Sequence, residues 1–225
     1  MLSRRNFLSL AAIIAAEGPL GLNTAIAQTD KPVFSGWIPP TGMRKASGRR
    51  VRAIKGAGTD TVRLLWKEWE QAAGVNFTPH TQAIGDCVSH SSTLAREVID
   101  AQGGVFTGKL STEVGYSGSR VQIGKGQLGR GDGSMGIWMA EWLKQYGVVP
   151  RASYQSGDLT NYRADYAQRW GMPNAGCPAE LAQIAKSRPI DKFLPVTSWL
   201  DAADLVASGI PVMICSPVGF GDTCD

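Results

Sequence analysis

The three longest stretches of helical periodicity in this sequence all run into glycine. Gly74 closes a stretch from Asp60 to Ala73, Gly103-Gly104 close one from Cys87 to Gln102, and Gly147 closes one from Met135 to Tyr146. Glycine has no Cβ and takes the left-handed backbone that ends a helix at little cost. With 27 glycines and 12 prolines in 225 residues, helices here stay short and many loops must join them. A long helical bundle is excluded. An α+β arrangement with one sizeable core or two small lobes is expected. The 43% apolar content and mean hydropathy of −0.10 fit a globular chain.

The remaining elements follow from the same pattern. Residues 28–58 read as an extended arm, with Pro32, Pro39-Pro40 and no apolar periodicity. Asp60 would cap a helix that carries Val62, Leu65, Trp66 and Trp69 on one face. A loop from Val75 to Asp86 leads into the helix at Cys87, whose apolar face is Val88, Ala95, Val98 and Ile99. A glycine-rich stretch spans Gly115 to Gly136, and shorter helices are expected at 161–170, 178–187 and 199–208. Ile210 to Ser216 reads as a buried strand. No internal repeat is visible.

The net charge is +4, and the densest basic cluster, Arg44 to Lys55, lies in a Gly- and Ser-containing stretch that reads as a solvated linker. Nucleic acid is therefore not an expected partner. At the N-terminus, Ser3-Arg4-Arg5-Asn6-Phe7-Leu8 matches the twin-arginine export pattern. An apolar run from Leu8 to Ala16 follows, interrupted by Glu17, Gly18 and Pro19, and too short to span a bilayer. Ala25-Ile26-Ala27 is a small-x-small cleavage site. Residues 1–27 are expected to be a signal recognised by the twin-arginine export machinery and removed after Ala27. The net charge then falls from +4 to +3, through loss of Arg4, Arg5 and Glu17. The product would be periplasmic or extracellular, without a stable membrane span.

Outside the cytoplasm disulfides persist, and the cysteines are Cys87, Cys177, Cys215 and Cys224. Four cysteines allow three pairings; Cys177 with Cys215 is preferred if Cys87 stays free. Cys87 is the residue with chemistry in view. At a helix N-terminus its sulfur meets unpaired amides and the positive end of the helix dipole, which favour thiolate. Gln82, five residues earlier, could supply a side-chain amide to an oxyanion hole, and Gly85 permits a tight turn beside it. A buried cysteine that only packs is the competing interpretation.

The segment Gln82-Ala83-Ile84-Gly85-Asp86-Cys87 resembles the Gln…Gly-Ser-Cys segment of papain-like cysteine peptidases. Further segments follow in the family's order: Leu110-Ser111-Thr112-Glu113, Gly131-Asp132-Gly133-Ser134, a helix ending at Tyr146-Gly147-Val148-Val149-Pro150, Tyr154, and Gly209-Ile210-Pro211-Val212. The resemblance covers roughly residues 75–225. It implies an α+β, papain-like fold over residues 59–225, with a mostly helical left lobe and only the start of a β-rich right lobe. It also implies peptide-bond hydrolysis through a Cys thioester on a peptide or protein substrate, without metal or cofactor. Cys87 would be the nucleophile, Gln82 and the Cys87 backbone N–H the oxyanion donors, and Asp132 and Gly133 the loop that binds substrate backbone.

The sequence departs from the family at four points. The gap from Gln82 to Cys87 is one residue short, Val88 replaces the usual aromatic after the nucleophile, and Ser134 replaces a glycine. The fourth departure concerns the base, which in the family is a histidine beyond the strand at 210–216. Here the chain has two histidines, His80 and His90, both earlier. Either could stand near Cys87, but a side chain three positions along the same helix is poorly aimed for proton transfer. A truncated or frame-interrupted family member, inactive as it stands, is therefore expected. The alternatives are a peptidoglycan hydrolase of the Cys-His type and a non-catalytic secreted binding protein.

Overall fold

The computed structural model describes residues 58, 61–196 and 198–215, together with the backbone of residues 10–15. The fold mixes helix and sheet at the α+β level. The helices are α1 (Leu65–Ala73), α2 (Cys87–Gln102), α3 (Thr112–Ser117), α4 (Gly136–Gln145), α5 (Ala164–Trp170), α6 (Ala179–Ala185) and α7 (Trp199–Ala207). A π-helical segment, Gly118–Ile123, continues α3. The strands are β1 (Leu10–Ala15), β2 (Ser153–Tyr154), β3 (Gly157–Asp158), β4 (Lys192–Val196) and β5 (Val212–Cys215). β2 and β3 form a small antiparallel hairpin, and the other three form a parallel sheet in the order β4-β1-β5. β1 lies within the apolar run of the expected export signal. The arginine pair, the cleavage site, residues 28–57 of the extended arm and Cys224 lie outside the described residues.

Helix α2 is the axis of the molecule and keeps the boundaries expected from sequence. Its environment is different from the amphipathic one expected. Eleven of its 16 residues are buried, among them Arg96, Glu97 and Asp100. These charges are tolerated because each has partners, as a buried ion requires. Arg96 Nε donates to Asp100 Oδ1 at 2.8 Å, and Arg188 Nη2 donates to Asp100 Oδ2 at 3.0 Å. Glu97 accepts from Trp69 Nε1 at 2.8 Å and from the Leu110 backbone N–H at 2.7 Å. Trp69, which anchors α1, also packs edge-on against Phe77 and Phe106. The rest of the α1 face does not form: Val62 is 87% exposed and Trp66 39%.

The stretch from Gly115 to Gly136 is not all loop. Its first part is helical, because two of its glycines serve close packing instead of chain reversal. A Cβ on Gly118 would enter the indole of Trp142, and one on Gly115 would meet Met139 and Ser89. Hydrogen there lets α3 and its π-helical extension lie directly on α4. Trp142 and Met139 are fully buried as a result. The main core continues through Val88, Leu110, Val114, Leu143, Val149, Leu159 and Leu181, and reaches Met213 and Cys215 of β5.

Helices α5, α6 and α7 fall inside the stretches expected for them, and β5 inside Ile210 to Ser216. Strands β1, β2, β3 and β4 and helix α3 had no counterpart in the sequence expectations.

Candidate active site

Cys87 is the first residue of α2 and is half-buried. The preceding residue, Asp86, is fully buried, and its backbone carbonyl accepts the N–H groups of Ser89 and His90. Its side chain makes no cap hydrogen bond to the helix. Instead Tyr162 Oη donates to Asp86 Oδ2 at 2.8 Å. His90 Nε2 lies 3.2 Å from the same oxygen, off the line of a hydrogen bond.

The electrostatics at Cys87 oppose the expectation of an activated thiol. Burial pushes the thiol up from its ordinary value. The backbone N–H groups of Val88 and Cys87 favour thiolate, as a helix N-terminus should, but the carboxylates of Asp86 and Asp132 disfavour it. Burial and like charge win. The resting thiol is protonated at neutral pH.

The glycine-rich loop is fastened directly to the turn before Cys87. Asp132 Oδ2 accepts the Gly85 N–H at 2.6 Å, while Oδ1 accepts from Tyr116 Oη at 2.6 Å and from the Gly133 N–H at 2.8 Å. Burial alone would raise this carboxyl, but the three hydrogen bonds and the charge of Arg120 hold it below the usual range. Burial and the Asp132 hydrogen bond push the Tyr116 phenol up, and burial and the Asp86 charge push Tyr162 up. Both therefore remain protonated donors. The loop itself hangs on Arg120, which is buried and donates to the carbonyls of Gly129, Gly131, Gly133 and Gly171.

The expected site residues are thus brought together in part. Asp132 and Gly133 sit beside Gly85, two residues from Cys87. Their polar groups brace the loop: Asp132 takes three donors, and the Gly133 carbonyl takes Arg120. Gln82 is exposed, and its Nε2 donates to the Ile84 carbonyl at 3.0 Å, within its own turn. The histidines form a separate buried cluster. His80 packs edge-on against His90 with ring centroids 5.7 Å apart, and His80 Nε2 lies 3.7 Å from Glu97 Oε2. His90 packs on Tyr162 at 5.0 Å.

Spacing gave no sign of three residues that shape this site: Tyr116, Arg120 and Tyr162. Tyr162 stands 76 positions from the aspartate it binds. Arg120 lies in a stretch whose glycines suggested loop. The expected pairing of Cys177 with Cys215 is not formed; Cys87, Cys177 and Cys215 are all free thiols.

A groove of about 500 Å3 lies between α1 and the far end of α2, lined by Glu68, Gln71, Ala101, Gln102 and Phe106. Fifteen residues of helix, about 22 Å at about 1.5 Å each, separate it from Cys87. It has no part in the chemistry at that sulfur. Among the described residues no group of three His, Cys, Asp or Glu side chains is placed to hold a metal ion. None of the described helices is long and apolar enough to cross a membrane. No protein-family model, curated protein or solved structure matches this chain.

Proposed function

We propose that residues 59–225 are a partial papain-like cysteine peptidase domain of an exported protein, a mostly helical left lobe with the start of a β-rich right lobe, with Cys87 in the nucleophile's position. The observation that carries the proposal is the junction at Gly85. There a buried central helix opening on cysteine meets a glycine-rich loop, as the family's segment order implies. In such a peptidase the sulfur attacks a peptide carbonyl, the Cys87 backbone N–H holds the oxyanion, and a thioester forms as the amine leaves. Gln82 would join the oxyanion hole only by releasing the Ile84 carbonyl.

The thiol proton needs an acceptor, and neither His80 Nε2 nor either ring nitrogen of His90 makes a hydrogen bond to Cys87. A protonated thiol without a base makes a poor nucleophile. The chain by itself therefore hydrolyses peptides slowly or not at all. The raised thiol also favours one second reading, a secreted binding lobe that keeps the architecture without the chemistry.

An epoxide or vinyl sulfone peptidase probe tests the nucleophile. Labelling of Cys87 faster than that of a free small thiol at neutral pH, and lost in Cys87→Ala, supports an activated peptidase site. Labelling no faster than the small thiol supports the binding lobe. Comparing casein with purified peptidoglycan as substrates separates a peptidase from a wall hydrolase.

A further inference from the structure

β5 runs antiparallel to α2 and is held against it at two points. Near the C-terminal end of α2, Gln102 Nε2 donates to the Gly209 carbonyl at 2.7 Å, just before β5 begins. Midway, Ser92 Oγ donates to Met213 Sδ at 2.8 Å. From that second contact, two residues of strand at about 3.3 Å each lead to Cys215, and five residues of helix at about 1.5 Å each lead back to Cys87. Both steps cover about 7 Å. Met213 and Cys215 are buried on the same strand face, while Val212 and Ile214 alternate away from it. Cys87 packs against the core cluster that contains both Met213 and Cys215.

From this register we propose that Cys87 and Cys215 are a redox pair, able to close a disulfide between the start of α2 and the end of β5. A charge on Cys87 acts on the Cys215 thiol, which burial and that charge push up to about 12, as expected for neighbouring sulfurs. Cys177 has a different setting: its thiol bonds toward the Pro178 carbonyl at 3.5 Å and interacts with Ser117. The pairing does not require Cys87 to be an acyl-transfer nucleophile.

The oxidant is a low-molecular-weight disulfide. Cys87, half-buried, is the accessible partner. Its thiol loses a proton and the sulfur attacks the small disulfide, releasing one small thiol and leaving a mixed disulfide. Cys215 then loses its proton and attacks Cys87 Sγ, releasing the second small thiol. Two electrons pass from the cysteine pair to the oxidant, and the two protons end on the two released thiols. Closure would bury the Cys87 sulfur and block any chemistry there.

The test is to equilibrate the reduced full chain with oxidised and reduced glutathione, alkylate under denaturing conditions and map the peptides by mass. The expected product is a Cys87–Cys215 linked peptide, lighter by two hydrogens and reversed by dithiothreitol. Alkylation at both residues should fall about tenfold in a buffer that favours the disulfide. In Cys215→Ser the mixed disulfide should persist on Cys87, and Cys177→Ser should behave as the wild type. A wild-type chain that holds glutathione on Cys87 while Cys215 stays fully alkylatable overturns the proposal. So does oxidation that joins Cys215 to Cys177 or Cys224. Failure of the peptidase probe to label reduced Cys87 would count against the proposed function and leave the disulfide standing.

Discussion

Asp132 Oδ2 accepts the backbone N–H of Gly85 at 2.6 Å, across 47 residues of sequence. Through that one hydrogen bond the glycine-rich loop fixes the turn that presents Cys87.

Asp132→Ala removes three acceptor contacts, to Gly85, Gly133 and Tyr116. A loss of about 1–2 kcal/mol is expected, since the carboxylate is partly solvated and its hydrogen bonds are charge-assisted. Because the folded carboxyl titrates below its unfolded value, its contribution is present above about pH 4 and disappears as pH falls through the folded pKa. Urea melts of wild type and Asp132→Asn should therefore converge between about pH 5 and pH 2. A constant difference across that range would refute the assignment.

Asp86 disfavours the Cys87 thiolate by its charge. Asp86→Asn keeps an oxygen for Tyr162 and removes that charge. Iodoacetamide should then alkylate Cys87 a few-fold faster at pH 7.5, with the midpoint of the rate profile moved to lower pH. An unchanged profile would mean that burial alone holds the thiol protonated. Circular dichroism on the same variant separates this effect from loss of fold.

Gly118→Ala sets a methyl group into the Trp142 ring. Overpacking of this kind costs about 1–3 kcal/mol. Gly124→Ala crowds Trp138 in the same way, whereas a methyl on Gly131 meets only the Leu128 carbonyl. Thermal melts should rank Gly118→Ala and Gly124→Ala well below Gly131→Ala.

The export expectation and the sheet place opposite demands on Leu10–Ala15. Residues 10–14 pair with 192–196, and residues 12–15 with 212–215. Removing residues 1–27 would leave β4 and β5 without their shared neighbour. Replacing Arg4 and Arg5 by lysine should abolish export, and N-terminal sequencing of exported chain should begin at Gln28. In a chain starting at Gln28, amide exchange should accelerate along 192–196 and 212–215, while α2 and α4 stay protected. Exported protein that retains Leu10–Ala15 would overturn the cleavage site.

Much of the helical framework was legible because each helix is closed by a glycine or matched by an apolar repeat. α2 appears with the boundaries its flanking glycines mark, and α4 differs by one residue at each end. The environment of α2 was not legible. Arg96, Glu97 and Asp100 look like a solvent face in one dimension, and become interior only because Trp69, Leu110 and Arg188 arrive from distant segments to pair with them. The same limit applies at the site. A cysteine at a helix start signals an activated thiol when the dipole is taken alone. Burial, joined by two carboxylates, one of them from position 132, reverses the outcome. β4 escaped notice because Pro195 and the exposed Lys192 interrupt the apolar pattern that marks a buried strand.

Arg120 gives the loop an order that no strand or helix provides. Four carbonyls converge on one guanidinium, so the positions of Gly129, Gly131 and Gly133 are inherited from the helical segment that carries it. Asp132 passes that placement to Gly85, and Gly85 passes it to Cys87. The coupling is mutual: a fault at Arg120 reaches Gly85 and Cys87, and a change at Cys87, the first residue of α2, acts back on that helix.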